Sequence, residues 1–502
     1  MNIKWPLNLA LFILIFFNIQ AAVHAQNRTA AFPRLEPDPK ALEFYGLSER
    51  ARGYSWQELA AISLWASGDT AAASLEKISA AVEKLKSAPE LPASDKERAG
   101  FIMDFMHKNI LKSYSLYQTR VDTIFTNGRF NCVSSAVLYM IFCEALGIST
   151  WGVITKEHAF VLVPIGELEY DVETTNPYGF DPGNRKEFHD SHGNITGFAY
   201  VPPQNYRDRQ KIGKIQLISL ILNNRIAEYE RQNRFADAVP LAIDQAALLV
   251  GSALAVNEGA GENWGELFDD PRKTLMDKLF NFGAMLLKAG REEDCLRWAA
   301  AAAPLYPDAE RWQEFVLAAA SNNLTKLAKA GKLAEARDFI DRQKNLLPEG
   351  DYAQLDALLV DAELASSANK IRGAAEGDAV IAAVEQARAG GKISEQRRLE
   401  LRTFAIQKTA AALSAAPGRD WRTAIQYIEN AIARFGANRE LEQSLKTYRS
   451  NLATDYHNRF ATEWNKKNYD EAERILNAGL AEFPDERQLL ADRETVNKNR
   501  AR

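Results

Sequence analysis

The sequence predicts an α+β N-terminal domain over residues 41–211, followed by an all-α helical repeat array over residues 212–502. Three observations support this fold class. Apolar residues recur every three or four positions from 41 to about 112, and again from 131 to 146. Short β-branched and aromatic segments follow Gly147, which indicates strands. From residue 212 onward the pattern is again helical and contains a weak repeat.

The first 25 residues have the pattern of a secretory signal peptide. A short basic start, MNIK, precedes the apolar run LNLALFILIFFNI and the small-residue segment AVHA. We expect cleavage after Ala25, a flexible leader over residues 26–40, and a periplasmic or secreted protein. No later segment is apolar enough to span a bilayer.

Charge and motifs exclude several function classes. The net charge is −5, which gives no electrostatic basis for binding nucleic acid. No glycine-rich phosphate loop follows a predicted strand. His189 and His192 lie three residues apart but have no cysteine or carboxylate cluster beside them. We therefore predict neither a cofactor nor a metal ion.

Local signals define the elements of the first domain. Ser94 and Glu97 have the spacing of a capping box, which indicates a helix start. Asn131 is a good N-cap for a helix beginning at Cys132. The segments TWGVIT, HAFVLVPI and LEYDVETT predict a sheet of at least three strands. Residues 176–206, rich in Gly, Pro, Asp and Asn, predict a long loop or irregular hairpin.

The C-terminal repeat is defined by three segments of equal length, 290–307, 331–348 and 467–484. Each ends at a proline and has a small residue at its sixth position, namely Cys295, Ala336 and Ala472. A small residue lets two helices approach closely, and proline ends the second helix. The pattern resembles degenerate tetratricopeptide (TPR-like) repeats over about 290 residues, which implies a surface for a protein partner. The alternative is an irregular α-helical array.

Cys132 is the most reactive feature that the sequence predicts. At the first position of a helix, a thiolate faces unpaired backbone N–H groups and the positive end of the helix dipole. The same N–H groups could stabilise an oxyanion formed by attack on a carbonyl. Cys143 lies 11 residues further along the same helix, about 16 Å away, which is too far for a disulfide. The alternative interpretation of Cys132 is a small buried side chain.

A cysteine nucleophile needs a base, and the base needs a group that orients it. His158 begins one predicted strand and Asp171 lies in the next. If the two strands pair through a turn near Ile165 and Gly166, His158 and Asp171 become cross-strand partners within hydrogen-bond reach.

The segments GRFNCVSSAVLYMIFCEALGI, EHAFV and YDVETT, taken together, resemble the bacterial transglutaminase-like superfamily over roughly residues 90–180. The resemblance implies a papain-like fold and a Cys-His-Asp catalytic triad, with Cys132 as nucleophile, His158 as general base and Asp171 as the orienting group. Gln118, or Tyr117 beside it, is the candidate side-chain oxyanion donor.

Two functions follow as hypotheses. The first is an exported thiol-dependent amide-bond hydrolase or acyltransferase, of the protease or transglutaminase type. It would act through a thioester on a protein or peptide substrate, including cell-wall peptides. The second is a catalytically inactive scaffold whose repeats assemble a cell-envelope complex.

Overall fold

The computed structural model describes residues 32–48, 53–156, 158–183, 185–196, 209–254, 264–344, 347–415 and 421–500. The predicted signal peptide and its cleavage site lie outside these residues. The described chain contains 20 helices and six short strands. It divides into two compact units, residues 1–319 and 320–502. The sequence placed its domain boundary at 211/212 instead.

The helices of the first unit are α1 (Pro39–Ser48), α2 (Trp56–Ser67), α3 (Ala72–Lys86), α4 (Asp95–Asn109), α5 (Val121–Asn127), α6 (Cys132–Ala145), α7 (Lys186–Thr196), α8 (Lys214–Arg231), α9 (Phe235–Val250), α10 (Pro271–Lys288) and α11 (Glu292–Ala302). Its strands are β1 (Ser113–Tyr114), β2 (Arg129–Phe130), β3 (Trp151–Ile154), β4 (Ala159–Ile165), β5 (Leu168–Val172) and β6 (Gln210–Ile212).

Helix α6 is the central helix of the first unit. Every residue from Val133 to Cys143 is buried, because the helix is apolar on all sides and packs against α2, α4, α5, α8 and β4. Asn131 caps it, since its side chain accepts the Ser134 N–H at 2.9 Å. The predicted cap and the predicted helix start at Cys132 are therefore confirmed.

The strands form a small antiparallel sheet with the order β5-β4-β3-β6, and β1 pairs with β2 in parallel. The hairpin between β4 and β5 turns at Gly166 and Glu167, so Ile165 faces Leu168 and Leu162 faces Asp171. Beyond the sheet, α7 occupies part of the segment predicted as a loop.

The predicted papain-like α+β fold class is wrong. The described residues are mostly helical, and their strands span at most seven residues each and form no papain-like core. The strand-like segments between 151 and 172 were real, but they form a minor sheet against a helical body. A local change from helical to strand period does not reveal how small the sheet is.

Residues 32–38, the N-terminal strap, pack on the first unit, although the sequence predicted a flexible leader there. The Phe32 ring meets the Trp298 ring edge to face, with centroids 5.8 Å apart. Arg34 pairs with the buried Asp244 carboxylate at 2.7 Å, and the Asp38 N–H donates to the same carboxylate at 2.8 Å. The strap is therefore tied to helices that lie over 200 residues away in the sequence.

The second unit is helical throughout its described residues. Its helices are the C-terminal part of α12 (Ala309–Lys329), α13 (Leu333–Gln343), α14 (Glu349–Asn369), α15 (Ala374–Ala389), α16 (Glu395–Ser414), α17 (Trp421–Phe435), α18 (Arg439–Asn465), α19 (Tyr469–Glu482) and α20 (Arg487–Arg500).

The three repeat segments are each a turn followed by one helix (α11, α13 or α19), and not a helix–turn–helix unit. The predicted tetratricopeptide-like unit of two helices within each segment is therefore wrong. The small sixth residues Cys295, Ala336 and Ala472 are fully buried, as expected of positions where helices approach closely.

A two-residue helix joint recurs in both units. Each copy places one residue at positive φ, namely Asn233, Gly290, Gly331 and Lys467. The next residue has φ between −106° and −89° and is the N-cap of the following helix. In each copy two backbone N–H groups bond carbonyls three and five residues earlier, as in a Schellman motif. The joint thus satisfies carbonyls at the end of the first helix.

Candidate active site

Cys132 lies at the start of α6 and lines a cavity of about 310 Å³, the Cys132 cavity. The cavity is also lined by His158, which directly precedes β4. Residues of three later helices complete the lining, among them Leu220 of α8, Gln245 of α9 and Thr274 of α10. Helices that the sequence assigned to the repeat array therefore form one wall of the site. Cys143 and Cys295 are fully buried, and for Cys295 this agrees with its predicted position at a close helix contact.

His158 joins Cys132 to a buried carboxylate. Its Nε2 lies 2.6 Å from Oε2 of Glu173. An ionised carboxylate only accepts hydrogen bonds, so Nε2 carries the proton and Nδ1 is the nitrogen left to the Cys132 thiol. The side chains of His158 and Glu173 are 22% and 4% exposed, which screens the pair from water.

The pKa of His158 is raised well above its ordinary value. Burial by itself lowers this pKa, but the charge of Glu173 and the hydrogen bonds to Cys132 and Glu173 outweigh burial. Burial raises the pKa of Tyr114, and its neighbours Cys132 and Glu173 act in the same direction. The site therefore favours a protonated imidazole beside the sulfur.

Glu173 is held by a buried polar loop. The Thr175 hydroxyl donates to Glu173 Oε1 at 2.8 Å, and Thr175 is fully buried. The Glu173 N–H donates to the Gly179 carbonyl at 2.8 Å. A Cβ at position 179 would lie 1.9 Å from the Glu173 carbonyl oxygen, so only glycine fits there. Asn176 anchors the loop further, because its amide donates to the Ser191 hydroxyl at 2.9 Å.

The loop also contacts the floor of the site. The hydroxyls of Thr174 and Ser135 lie 2.8 Å apart, and Ser135 belongs to the first turn of α6. His107 of α4 lies 3.2 Å from the Thr174 carbonyl through Nε2. Burial lowers the pKa of His107 to about 4, although the Thr174 hydrogen bond and the Asp104 charge act the other way. His107 is therefore a neutral donor at neutral pH.

Asp171 does not reach His158. Its carboxylate binds the Arg209 guanidinium through both oxygens, one of them at 2.9 Å. The two strands pair so that Leu162 faces Asp171, which moves Asp171 four positions from the predicted alignment with His158. If the same register continues, Glu173 lies opposite position 160, two residues from His158 and on the same face of the sheet. Asp171 lies opposite Leu162, four residues from His158. The structure therefore brings Cys132 and His158 of the predicted triad together, but Asp171 is not the group that orients His158.

The predicted oxyanion donors do not line the cavity. The Gln118 side chain donates to the Arg120 carbonyl at 3.1 Å. Tyr117 is 67% exposed and lies under the Arg231 guanidinium. The backbone N–H groups of Cys132 and Val133 are better placed, because both residues line the cavity. As first-turn donors they find no partner within the described parts of the chain.

Sequence reasoning gave the orienting role to Asp171 and left Glu173, which directly follows Val172 at the end of β5, as a supporting residue or a plain strand position. The signal was available in the segment YDVETT, where Asp171 and Glu173 alternate onto the same strand face. Choosing between them required the register, because the turn at Gly166 and Glu167 lies two residues later than a turn that would align His158 with Asp171.

Within the described ranges, no helix is long and apolar enough to cross a membrane. In the same ranges, no group of three or more His, Cys, Asp or Glu side chains could hold a metal ion.

Comparisons with known proteins do not assign a family. No family model matches the chain, and no curated protein sequence matches it. The chain is similar to a crystal structure of menin that reveals the binding site for Mixed Lineage Leukemia (MLL) protein. That similarity has 14% sequence identity and a TM-score of 0.30 over 84% of this chain and 93% of that chain. A likeness at this level supports no conclusion about function. The predicted membership in the transglutaminase-like superfamily is wrong, because the described fold is mainly helical and nothing in these comparisons indicates a transglutaminase or a hydrolase.

Proposed function

We propose that this protein is a thiol-dependent acyltransferase in which Cys132 carries the acyl group as a thioester. One observation supports the proposal above all others: His158 stands between the Cys132 thiol and the buried Glu173 carboxylate, 2.6 Å from the latter, at the edge of a cavity. A nucleophile, a base and a group that orients the base are the parts that acyl transfer needs.

The proposed reaction has two steps, acylation of Cys132 and transfer of the acyl group to an acceptor. Cys132 gives its proton to Nδ1 of His158, and the thiolate attacks the substrate carbonyl carbon. The tetrahedral oxyanion accepts hydrogen bonds from the backbone N–H groups of Cys132 and Val133. The leaving group departs with the proton from His158, which leaves the thioester. An acceptor nucleophile then loses its proton to His158 and attacks the thioester, and Cys132 regains its proton as the acyl group leaves.

The proposed substrate is an acyl group of a protein or peptide. The Cys132 cavity combines apolar walls, including Leu220 and Phe268, with the polar side chains of Gln245 and Thr274. The Gln245 amide nitrogen donates to the Ser219 carbonyl at 3.3 Å, so its oxygen is the atom left for a substrate N–H. Export from the cytoplasm remains part of the proposal through the signal-peptide pattern of residues 1–25.

The test is acylation of the full-length protein by p-nitrophenyl acetate near neutral pH, followed by intact mass spectrometry and peptide mapping. We expect one acyl group per chain, at Cys132, because Cys143 and Cys295 are fully buried. His158→Ala should slow acylation at least about 100-fold, whereas His189→Ala, which changes an exposed histidine, should leave the rate unchanged.

If Cys132 reacts no faster than the thiol of a short unstructured peptide, and His158→Ala changes nothing, the enzyme proposal fails. The inactive-scaffold hypothesis would then be the better account of the chain.

A further inference from the structure

A second cavity in the first unit, of about 580 Å³, is lined by aromatic side chains. We call it the aromatic cavity and define it by Tyr45, Tyr54, Trp151 and Trp264. It lies at the first residues of β3 and α8 and shares Leu249 with the Cys132 cavity. Its volume is within the range of small-molecule sites, roughly 300–1,000 Å³.

Two of the four rings are fixed by the sheet. Trp151 is the first residue of β3, pairs with Leu162, and is 48% exposed. Trp264 lies on a loop that is tied to β6 by both ends of the Gln210 amide. The Gln210 nitrogen donates to the Trp264 carbonyl, and the Gln210 oxygen accepts the Leu267 N–H at 2.8 Å. The backbone at Trp151 and Trp264 is therefore held in place, so both rings start from fixed positions at the cavity.

Two polar groups at the aromatic cavity lack a partner. The Thr150 side chain is 4% exposed, and its hydroxyl has no hydrogen bond to any described residue. The indole N–H of Trp264 is buried and likewise has no partner in the described chain. Buried polar groups are normally paired, so these two are unusual.

A third polar group is oriented as a donor. The Gln216 side-chain oxygen accepts the Gly213 N–H at 2.7 Å, which leaves its amide nitrogen to donate. No Asp or Glu is among the described residues that line the cavity, and the charge of Lys214 is already paired with Glu144. The lining therefore suits a neutral ligand that offers oxygen acceptors.

We propose that the aromatic cavity binds a neutral saccharide of one or two rings. Pyranose rings present flat C–H faces that pack on Tyr and Trp rings, and their hydroxyl oxygens accept from the Gln216 amide N–H. In this proposal the Thr150 side chain rotates about χ1 on binding, and its hydroxyl then pairs with a sugar hydroxyl, because each group both donates and accepts. The site is separate from the Cys132 chemistry and does not depend on it.

The test measures binding of N,N′-diacetylchitobiose, cellobiose and maltose to the full-length protein by saturation-transfer NMR and calorimetry. At least one should bind saturably with a Kd below about 1 mM. Trp151→Ala should weaken that binding about tenfold, and Trp151→Phe should weaken it less because a ring remains. Cys132→Ser should bind the same sugar unchanged, which separates this proposal from the acyltransferase.

Thr150→Val distinguishes a ligand-binding hydroxyl from a structural one. Because the hydroxyl is unpaired in the free protein, we expect the melting temperature to stay the same or rise while sugar binding weakens about fivefold. Leu168→Ala removes an exposed apolar side chain of the same sheet outside the cavity and should change neither quantity.

The proposal is overturned if none of the three sugars binds at 10 mM, a concentration about tenfold above the expected Kd. It is also overturned if binding is unaffected by both Trp151→Ala and Thr150→Val. Binding of indole-3-acetate, an aromatic anion, in the absence of sugar binding would assign the cavity to another ligand class.

Discussion

At the scale of single residues, the choice between Asp171 and Glu173 decides how the candidate site works. Both carboxylates follow from one strand pattern, and only one contacts His158. The other is bound by Arg209. The two residues therefore make a matched pair for mutagenesis.

Glu173→Gln should slow acylation of Cys132 at least about 100-fold, as expected when the group that orients a catalytic histidine is neutralised. Asp171→Asn should change the rate less than about threefold, because it alters an ion pair away from the histidine. Stopped-flow acylation rates measure both. Equal losses in the two variants would contradict the assignment of Glu173.

The effect of Glu173→Gln on the free energy of unfolding should depend on pH. The folded pKa of His158 is raised above its ordinary value of 6.5, so the His158–Glu173 pair stabilises the fold fully below about pH 6.5. That contribution is lost as pH rises through the raised pKa. The stability difference between wild type and Glu173→Gln, from urea unfolding between pH 6 and 9, should therefore shrink as pH rises.

His107 should have the opposite pH dependence. Burial lowers its pKa to about 4, so between pH 6.5 and 4 the unfolded chain binds the proton more readily. Stability should fall with decreasing pH across this window, by up to about 3 kcal/mol from this residue. His107→Gln keeps an N–H donor for Thr174 and should flatten the pH dependence, whereas the exposed His189→Gln should not. Denaturant unfolding at pH 4.5, 5.5 and 6.5 measures the effect.

At the scale of elements, the helix joint explains why particular residues occur between helices. Gly331 has a φ of 71° and no atom within 4 Å of the position that a Cβ would occupy. A substitution there therefore changes backbone strain and not packing. Gly350, in α14, has equally open space but helical backbone, which makes it a clean control.

Gly331→Ala should lower the free energy of unfolding by about 1–2 kcal/mol, the cost of a left-handed conformation for a residue with a Cβ. Gly350→Ala should raise it by up to about 1 kcal/mol, because alanine is the better helix former. Urea unfolding of the full chain measures both. A loss of similar size at both positions would show that the added methyl group, and not φ, is responsible.

The sequence predicted helix caps and close helix contacts correctly, but it predicted the wrong fold class. The cap at Asn131, the helix start at Cys132 and the buried small residues at 295, 336 and 472 depend on neighbours in the chain, so periodicity and capping rules find them. The size of the sheet, the register of β4 and β5 and the pairing of Asp171 with Arg209 depend on residues distant in sequence. Local patterns contain no information on these.

At the scale of the whole molecule, the first unit is completed by segments from both ends of its sequence. Helices α8 to α10 form one wall of the Cys132 cavity, and the N-terminal strap packs on Asp244, Trp298 and Tyr306. Neither feature could be predicted from a domain boundary drawn at residue 211. The candidate active site thus requires residues on both sides of that boundary.

The strap should contribute measurably to stability. A chain beginning at Pro39 loses the strap, and we expect its first unit to unfold with about 2–4 kcal/mol less free energy than a chain beginning at Phe32. Calorimetry should show this as a lower melting temperature, by about 2–4 °C per kcal/mol. If the two chains melt alike, the strap contacts do not stabilise the unit.

The recurring joint also bears on how such a chain can change length. The same two-residue joint links helices at Asn233, Gly290, Gly331 and Lys467. Deleting the residues from one joint to the same position in the next joint therefore leaves one complete joint. Inserting such a stretch likewise creates no new kind of connection. Unequal recombination could therefore add or remove a pair of helices without changing the joint that connects them. The remaining requirement is that the newly exposed apolar helix faces pack against new neighbours.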